Sequence, residues 1–467
     1  MMIRNLRMGG ASLILSENVE RPIVGRLVAA SVRVAGENRF FYVAVGLVFW
    51  LALAIEGAML WTLLFPEWSF AWPAVSLFVL APVVTIVQFT SVTTVFPCVA
   101  PVVLVLAAVL LLLGGPDDGI RLTKRMGIAL LPAVAALPSE YALATAAASG
   151  TLLVLKRRWR GALTLGAGIT IGYIAFRFIG DTTIRGQTNP DVQIETILRR
   201  PWSAPFKILA AAWDCIVGAW GRAASELRVD WSSKSTLLAA GIALGMATWV
   251  ARGLPVRSAD AAEGRAESLW VVVAAVVAGL TPAFLIRSFP LTKVYETRFF
   301  LPVLVFACCA TLASVFRLSR PRSFALVLFG LVFLCMDRLV LRAVEEKRLQ
   351  DGLERFGEKM RPFVGDRPGL VVLVSPERDG MSAEESMAKA TFRWQFPQAG
   401  RLWIVRPDQA RVQFGPRSGC QPVESLRLSR PDKNWPRLDE PIRSVLYNAS
   451  DTDEPDPEPY FRGCLAP

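Results

Sequence analysis

The stretch YETRFFLPVLVF, residues 295–306, poses the first chemical question: a long apolar run opens with Tyr295, Glu296 and Arg298, and Arg287 and Lys293 stand just before it. Two uses suit such residues. An arginine at the end of a membrane-crossing helix snorkels to the lipid headgroups. A group of guanidinium and ammonium side chains can also hold an anion through charge-assisted, partly bidentate hydrogen bonds. Arg177 and Asp181 flank the end of another apolar segment; an ion pair over one helical turn is the plain reading, and a phosphate ligand is the other. Glu140 follows Pro138-Ser139 inside a long apolar region. There it either caps a helix start or faces a cavity, because a carboxyl at membrane depth is costly and commonly functional. Glu56 stands mid-way along an apolar segment with no evident partner in sequence, and Asp337 with Arg338 is assigned to the membrane edge.

The chain of 467 residues has no histidine. Imidazole-based zinc sites, Ser-His-Asp or Cys-His catalysis and imidazole proton relays are therefore excluded, which leaves carboxylates, Arg, Lys, Tyr and backbone. No cysteine pair has CxxC spacing, and neither a GxGxxG after a strand nor a P-loop is present. Of the 7 cysteines, five lie in or beside apolar segments, where small buried hydrophobes are expected. Cys420 and Cys464 stand in the polar C-terminal region and are a disulfide candidate if that region meets an oxidising compartment.

The elements that must position these residues are apolar and long. Hydrophobic residues make up 53% of the chain, and segments of bilayer length recur at 40–64, 70–88, 95–114, 161–178, 234–251, 266–286, 298–316 and 323–341. Residues 126–155 are too long for one crossing and are broken at Leu137-Pro138-Ser139-Glu140. With Arg121, Lys124 and Arg125 before and Lys156, Arg157, Arg158 and Arg160 after, both ends are expected on one side, as a broken re-entrant hairpin. Residues 203–221, with Lys207, Asp214 and three tryptophans nearby, are expected to lie in the interface. The expected fold is thus an all-α polytopic membrane bundle of about eight spans, plus that hairpin and that interfacial helix. A small C-terminal α/β domain follows.

The formal net charge of +12 sits largely in short loops between apolar segments, so it reports orientation and gives no support to a nucleic-acid partner. The basic loops at 156–160, 252–265 and 317–322 are expected to face the cytoplasm. Three regions follow: an outer-face interfacial segment at 1–39, without the apolar core of a cleavable signal peptide; a transmembrane domain at 40–343; and an extracytoplasmic α/β domain at 344–467. The last reads as helices at 343–360 and 381–396 with strands at 369–375, 401–407, 410–415 and 443–449. The acidic, proline-rich 451–460 reads as a solvated loop.

Several motifs occur in one order. Glu20-Arg21-Pro22-Ile23-Val24 comes first, then Asn-Arg-Phe-Phe-Tyr (38–42) leading into a span, then LPSEYALATAAASGTLLVLKRRWR, and then a late span opening ETRFFLPV. This order resembles the type C glycosyltransferases, polytopic enzymes that take a sugar from a polyprenyl-phosphate donor. The resemblance is loose and covers residues 15–320. It implies transfer of a sugar to a lipid or cell-envelope glycan acceptor in a bacterial inner membrane, with the C-terminal domain periplasmic or extracellular. It also implies a lipid-phosphate pocket of Arg298, Lys293, Arg287 and Arg177 beside a cavity with Glu140, Tyr295 and Glu296. The catalytic residues are not assigned, because the family's first span and the acidic pair that follows it have no counterpart before Arg21. No metal ligand is assigned either, although the resemblance leaves a divalent metal open as cofactor. The other expectation is a non-catalytic envelope scaffold that binds lipid phosphate and recruits partners through its outer domain.

Overall fold

The computed structural model describes residues 22–35, 39–82, 95–115, 122–137, 141–179, 203–225, 227, 229, 233–253, 261–286, 298–317 and 323–340, and three strands at 369–374, 400–405 and 442–447. The chain divides into two units, Ile14–Leu341 and a second made of Met1–Leu13 with Arg342–Pro467.

The described part of the first unit is a helical bundle. Its helices are α1 (Pro22–Ala35), α2 (Arg39–Leu64), α3 (Trp72–Leu80), α4 (Ala100–Gly114), α5 (Leu122–Ala136), α6 (Tyr141–Leu155) and α7 (Trp159–Ile179). They continue with α8 (Ser203–Trp213), α9 (Ala219–Ser225), α10 (Lys234–Arg252), α11 (Ala261–Ile286), α12 (Leu304–Arg317) and α13 (Ser323–Val340). Among the described residues, four helices are long and apolar enough to cross a membrane: Val43–Leu64, Lys234–Arg252, Phe300–Arg317 and Ser323–Val340. Ala100–Gly114, Tyr141–Leu155 and Glu267–Pro282 are apolar but shorter. The expected span at 70–88 is described only as far as 82.

What these helices turn outward is apolar. On α2, Val43, Leu47, Leu51, Ile55, Met59 and Leu63 recur every fourth residue and all are exposed, whereas Leu53, Leu60 and Trp61 of the same helix are buried. An amphipathic helix of a water-soluble protein would put polar residues on that outer stripe. A helix apolar all round suits a lipid surround, and the bundle is that of a helical membrane protein. The segment Phe300–Arg317 lies at the centre, 89% buried.

Close contacts fix the helix directions. Gly168 and Gly172 of α7 meet the backbone of Ala129 and Ala133 of α5, where a Cβ would collide with main-chain atoms, so α5 and α7 run the same way. Between them α6 runs back. Lys156 Nζ is 3.1 Å from Ser268 Oγ, and Gly279 meets Ala148 and the Ala144 carbonyl, so α6 and α11 are antiparallel. Gly279 also meets Val303. The expected hairpin at 126–155 therefore appears as two helices of 15 residues each, α5 and α6, either side of the break.

Residues 203–225, which include the segment expected to lie in the interface, pack against the bundle. They form α8, a widened turn at Asp214–Gly218 and α9 in succession, and the last part runs alongside α12. The Thr311 hydroxyl donates to the Ile216 carbonyl at 2.9 Å, and farther along, Cys215, Ala219 and Trp220 share a recess with Cys308, Ala307, Leu304 and Phe300. Asp214 pairs with Arg222 two turns on. A widened turn lengthens the backbone hydrogen-bond ladder, and Thr311 supplies a donor there, where an unmet carbonyl at membrane depth would be costly.

The described part of the second unit is a three-stranded parallel sheet of order β2-β1-β3, with β1 Gly369–Val374, β2 Gly400–Val405 and β3 Ile442–Tyr447. Gly369 aligns with Gly400 through to Val374 with Val405. On the other side Leu370 aligns with Ile442 and Val371 with Ser444, an irregularity that passes over Arg443. The continuously apolar strand GLVVLV is central, as parallel sheets covered on both faces require. The flanking strands carry Arg401 and Arg443, which suits edges. Parallel neighbours need crossovers of a dozen or more residues, and segments 375–399 and 406–441 are long enough. The expected helices 343–360 and 381–396, the strand at 410–415, the loop 451–460 and the cysteines Cys420 and Cys464 lie outside the described residues.

Candidate functional site

The register places the elements bearing the singled-out residues at one end of the bundle. Arg298–Val303 forms a tight helical turn that opens the α12 segment. Pro302 lies within this turn and has no N–H to donate, which favours a short irregular start. The turn packs on α6 and α11, and its last residue, Val303, touches Gly279. Because α6 and α11 are antiparallel, the beginning of α6 at Tyr141 and the end of α11 at Ile286 lie toward the same end. The parallel run of α5 and α7 brings the last turn of α7, with Arg177, to that end as well.

Of the residues expected to form a pocket, the backbones of Arg177 and Arg298 are thus gathered at this "Arg298 end", while their side chains are outside the described set. Glu140, Arg287, Lys293, Tyr295 and Glu296 lie outside the described residues; their described neighbours Tyr141, Ile286 and Arg298 are at this end. Among the described residues no group of three or more His, Cys, Asp or Glu is placed to hold a metal ion.

The opposite end is basic. Arg158 Nη1 donates to the Gly115 carbonyl at 2.9 Å, joining the α6–α7 turn to the end of α4. That turn is tight enough to hold Arg157 at φ 58°. The ring of Phe70 packs where a Cβ on Gly253 would stand and meets Phe316 edge-on at 6.0 Å, so the ends of α10 and α12 meet there. An aromatic group of Trp61, Phe65, Trp68, Phe316 and Phe324 closes this end, with Trp68 and Phe316 stacked at 4.5 Å and Phe316 and Phe324 at 4.5 Å. The Trp61 indole donates to the Trp68 carbonyl at 2.7 Å, as a buried indole N–H requires. Lys156, Arg157 and Arg158 are thus grouped at the end of α4 and near the start of α11, Arg252 and Arg317 are grouped beside the Phe70–Phe316 contact, and Arg317 is at the other end of its segment from Arg298.

Three features were not legible as site features in the sequence. Arg338 does not serve only the membrane edge: its Nη2 donates to the Ala223 carbonyl at 3.1 Å, closing the last turn of α9 from α13. Asp214 and Arg222 pair over two turns, with Gly218 between them. A small recess lies between α3, the 214–220 region and the start of α12, lined mainly by apolar groups with the Cys215 and Cys308 thiols and Thr311. Its signal, a glycine halfway between an acid and a base, is visible only once the spacing of eight residues is recognised as one helix face.

Comparison of the chain with protein-family models, with curated proteins and with solved structures finds no match.

Proposed function

We propose that this membrane protein binds a polyprenyl-phosphate-linked sugar at the Arg298 end and transfers the sugar to a lipid or cell-envelope glycan. The observation that carries the reading is the convergence of α6, α7, α11 and the Arg298–Val303 turn, with the basic residues of the α6–α7 turn at the far end of α6. An anionic headgroup at that end needs guanidinium donors that neutralise it and hold two of its oxygens at once. The resemblance to type C glycosyltransferases supports the same assignment and gives Arg298, Lys293, Arg287 and Arg177 the phosphate. Glu140, Tyr295 and Glu296 would border the sugar. In this reading stabilisation of the departing phosphate by fixed cations is the main source of rate, and a divalent metal, if used, would add charge at the same place. The protein sits in a bacterial inner membrane with several crossings, and its C-terminal α/β domain faces the periplasm or the exterior.

Binding of a polyprenyl phosphate to the full-length protein in detergent tests it, with the polyprenyl alcohol as the uncharged control. Arg298→Ala should weaken phosphate binding by about 1.5–3 kcal/mol, the worth of a charge-assisted hydrogen bond, and so by roughly ten- to a hundredfold. Arg298→Lys should recover only part, because an ammonium is a point charge with no planar fork. Equal binding by all three proteins, or equal binding of phosphate and alcohol, would reduce Arg298 to an anchor. Transfer of labelled sugar from a polyprenyl-phosphate donor to extracted membrane glycans tests the reaction separately.

A further inference from the structure

We propose that Glu56 is a proton-binding site within the membrane-crossing part of the bundle, a carboxyl that stays neutral there and is reached through the lipid-facing side of α2. Glu56 stands within the crossing segment Val43–Leu64, is 9% exposed, and its Oε2 is buried with no hydrogen-bond partner among the described residues. A structural carboxylate in such a place would be paired or capped.

Among the described residues, the elements packed against α2 offer no counter-charge near it. They are α3, α4, α12, the turn Pro66–Ala71 and the turn Val95–Val99. Neither α3 nor α4 carries a titratable side chain. The turn Val95–Val99 brings Cys98, and α12 brings Cys308, Cys309 and Arg317. The turn Pro66–Ala71 brings Glu67. Arg317 is exposed and follows Phe316, whose ring meets Trp61 and Trp68, more than a helical turn beyond Glu56. An ionised carboxylate would be desolvated there without compensation, whereas the neutral acid carries only an ordinary polar penalty. The described neighbours on α3 and α4 are apolar but for the Ser76 hydroxyl, which is directed to the Ala54 carbonyl. With no second oxygen ligand in view, the proton, not a metal cation, is the ligand that a lone carboxyl suits.

Access comes from the helix itself. At about 100° per residue, Glu56 falls between buried Leu53 and Leu60 on one side and exposed Met59 on the other. A reagent dissolved in lipid can therefore approach over Met59, while one confined to water cannot.

The test is reaction of the full-length protein, in nanodiscs of zwitterionic lipid, with dicyclohexylcarbodiimide. The carboxyl proton passes to a carbodiimide nitrogen and the carboxyl oxygen bonds the central carbon. The resulting O-acylisourea then rearranges to a stable N-acylurea, so no atom leaves and the peptide gains the mass of the whole reagent. Near neutral pH the peptide holding Glu56 should be labelled at least about tenfold more by this reagent than by a water-soluble carbodiimide. Labelling should fall as pH is raised to about 9, because only the protonated acid reacts, and it should vanish in Glu56→Gln. Absence of labelling at Glu56, labelling that does not change with pH, or equal labelling by the water-soluble reagent would each overturn the proposal. If Glu56→Gln fails to fold, the reagent preference and pH dependence of the wild-type protein still decide.

Discussion

At the residue scale the most informative site is the Asp214–Gly218–Arg222 face. Asp214 and Arg222 form an ion pair although eight residues separate them, farther than the three or four at which helix neighbours usually meet. They reach because Gly218 has no side chain: a Cβ there would lie 3.3 Å from Asp214 Cγ and 3.5 Å from Arg222 Nη2, in the path of the pair. Gly218→Ala should therefore act through the pair as well as through the backbone. Because the Arg222 side chain is about a third exposed, the pair's direct worth is discounted to about 0.3–1 kcal/mol. The expected result is that Gly218→Ala and Arg222→Gln each lower unfolding stability in detergent, and that the double variant loses less than the sum, since both remove one interaction. Strict additivity would show that glycine acts independently of the pair. The sequence shows Lys207, Asp214 and the tryptophans, whereas the pairing of Asp214 depends on a partner two turns away.

At the scale of elements, helix identity was legible and helix partnership was not. Apolar windows of bilayer length marked α2, α10, α12 and α13, and Pro138 with like charges on both flanks marked the break between α5 and α6. Short apolar runs at 369–375, 401–407 and 443–449 marked the three strands, because a run of strand length is a local property. Nothing local announced that α5 and α7 touch through Gly168 and Gly172, since small residues favour close helix approach without naming the partner. Gly172→Leu tests that contact. A side chain there meets the Ala133 backbone, which cannot move aside as a flexible side chain would, so a loss of about 1–3 kcal/mol is expected from overpacking. Gly150→Leu, at a position with open space within 4 Å, should cost clearly less. Thr311→Val probes the other interface: it removes the donor to the Ile216 carbonyl while keeping the shape, and should cost about 0.6–2 kcal/mol. Thermal unfolding of the purified variants reads all three, and a Gly172→Leu protein as stable as Gly150→Leu would refute the packing argument.

At the scale of the whole molecule, the question is which way the bundle faces. From sequence alone that answer depends on counting crossings. The contacts give a route that needs no count. Lys156 bonds Ser268 near the start of α11, Arg158 bonds the end of α4, and Gly253 meets Phe70, which meets Phe316. Lys156, Arg157 and Arg158 are thus grouped by direct packing, and so are Arg252 and Arg317, and lysine and arginine accumulate at cytoplasmic ends. The Arg298 end is then expected to face outward, where a lipid-phosphate donor handled outside the cytoplasm would be met. Two measurements on the full-length protein follow. A single cysteine introduced at Arg157, in a background with the native cysteines replaced, should be blocked by a membrane-impermeant maleimide only after the membrane is opened, and one at Lys293 should be blocked in intact cells. A reporter that folds only outside the cytoplasm, fused after residue 345, should be active, and one fused at Ser319 inactive. An outward tail would also meet oxidising conditions, so Cys420 and Cys464 should pair, giving a mobility shift on reduction; closing such a loop is worth about 3–5 kcal/mol in the chain-entropy model. Activity of the Ser319 fusion together with reduced cysteines would invert the bundle. It would also place the Arg298 end where a donor presented at the outer leaflet never reaches it, and so would overturn the donor-lipid reading.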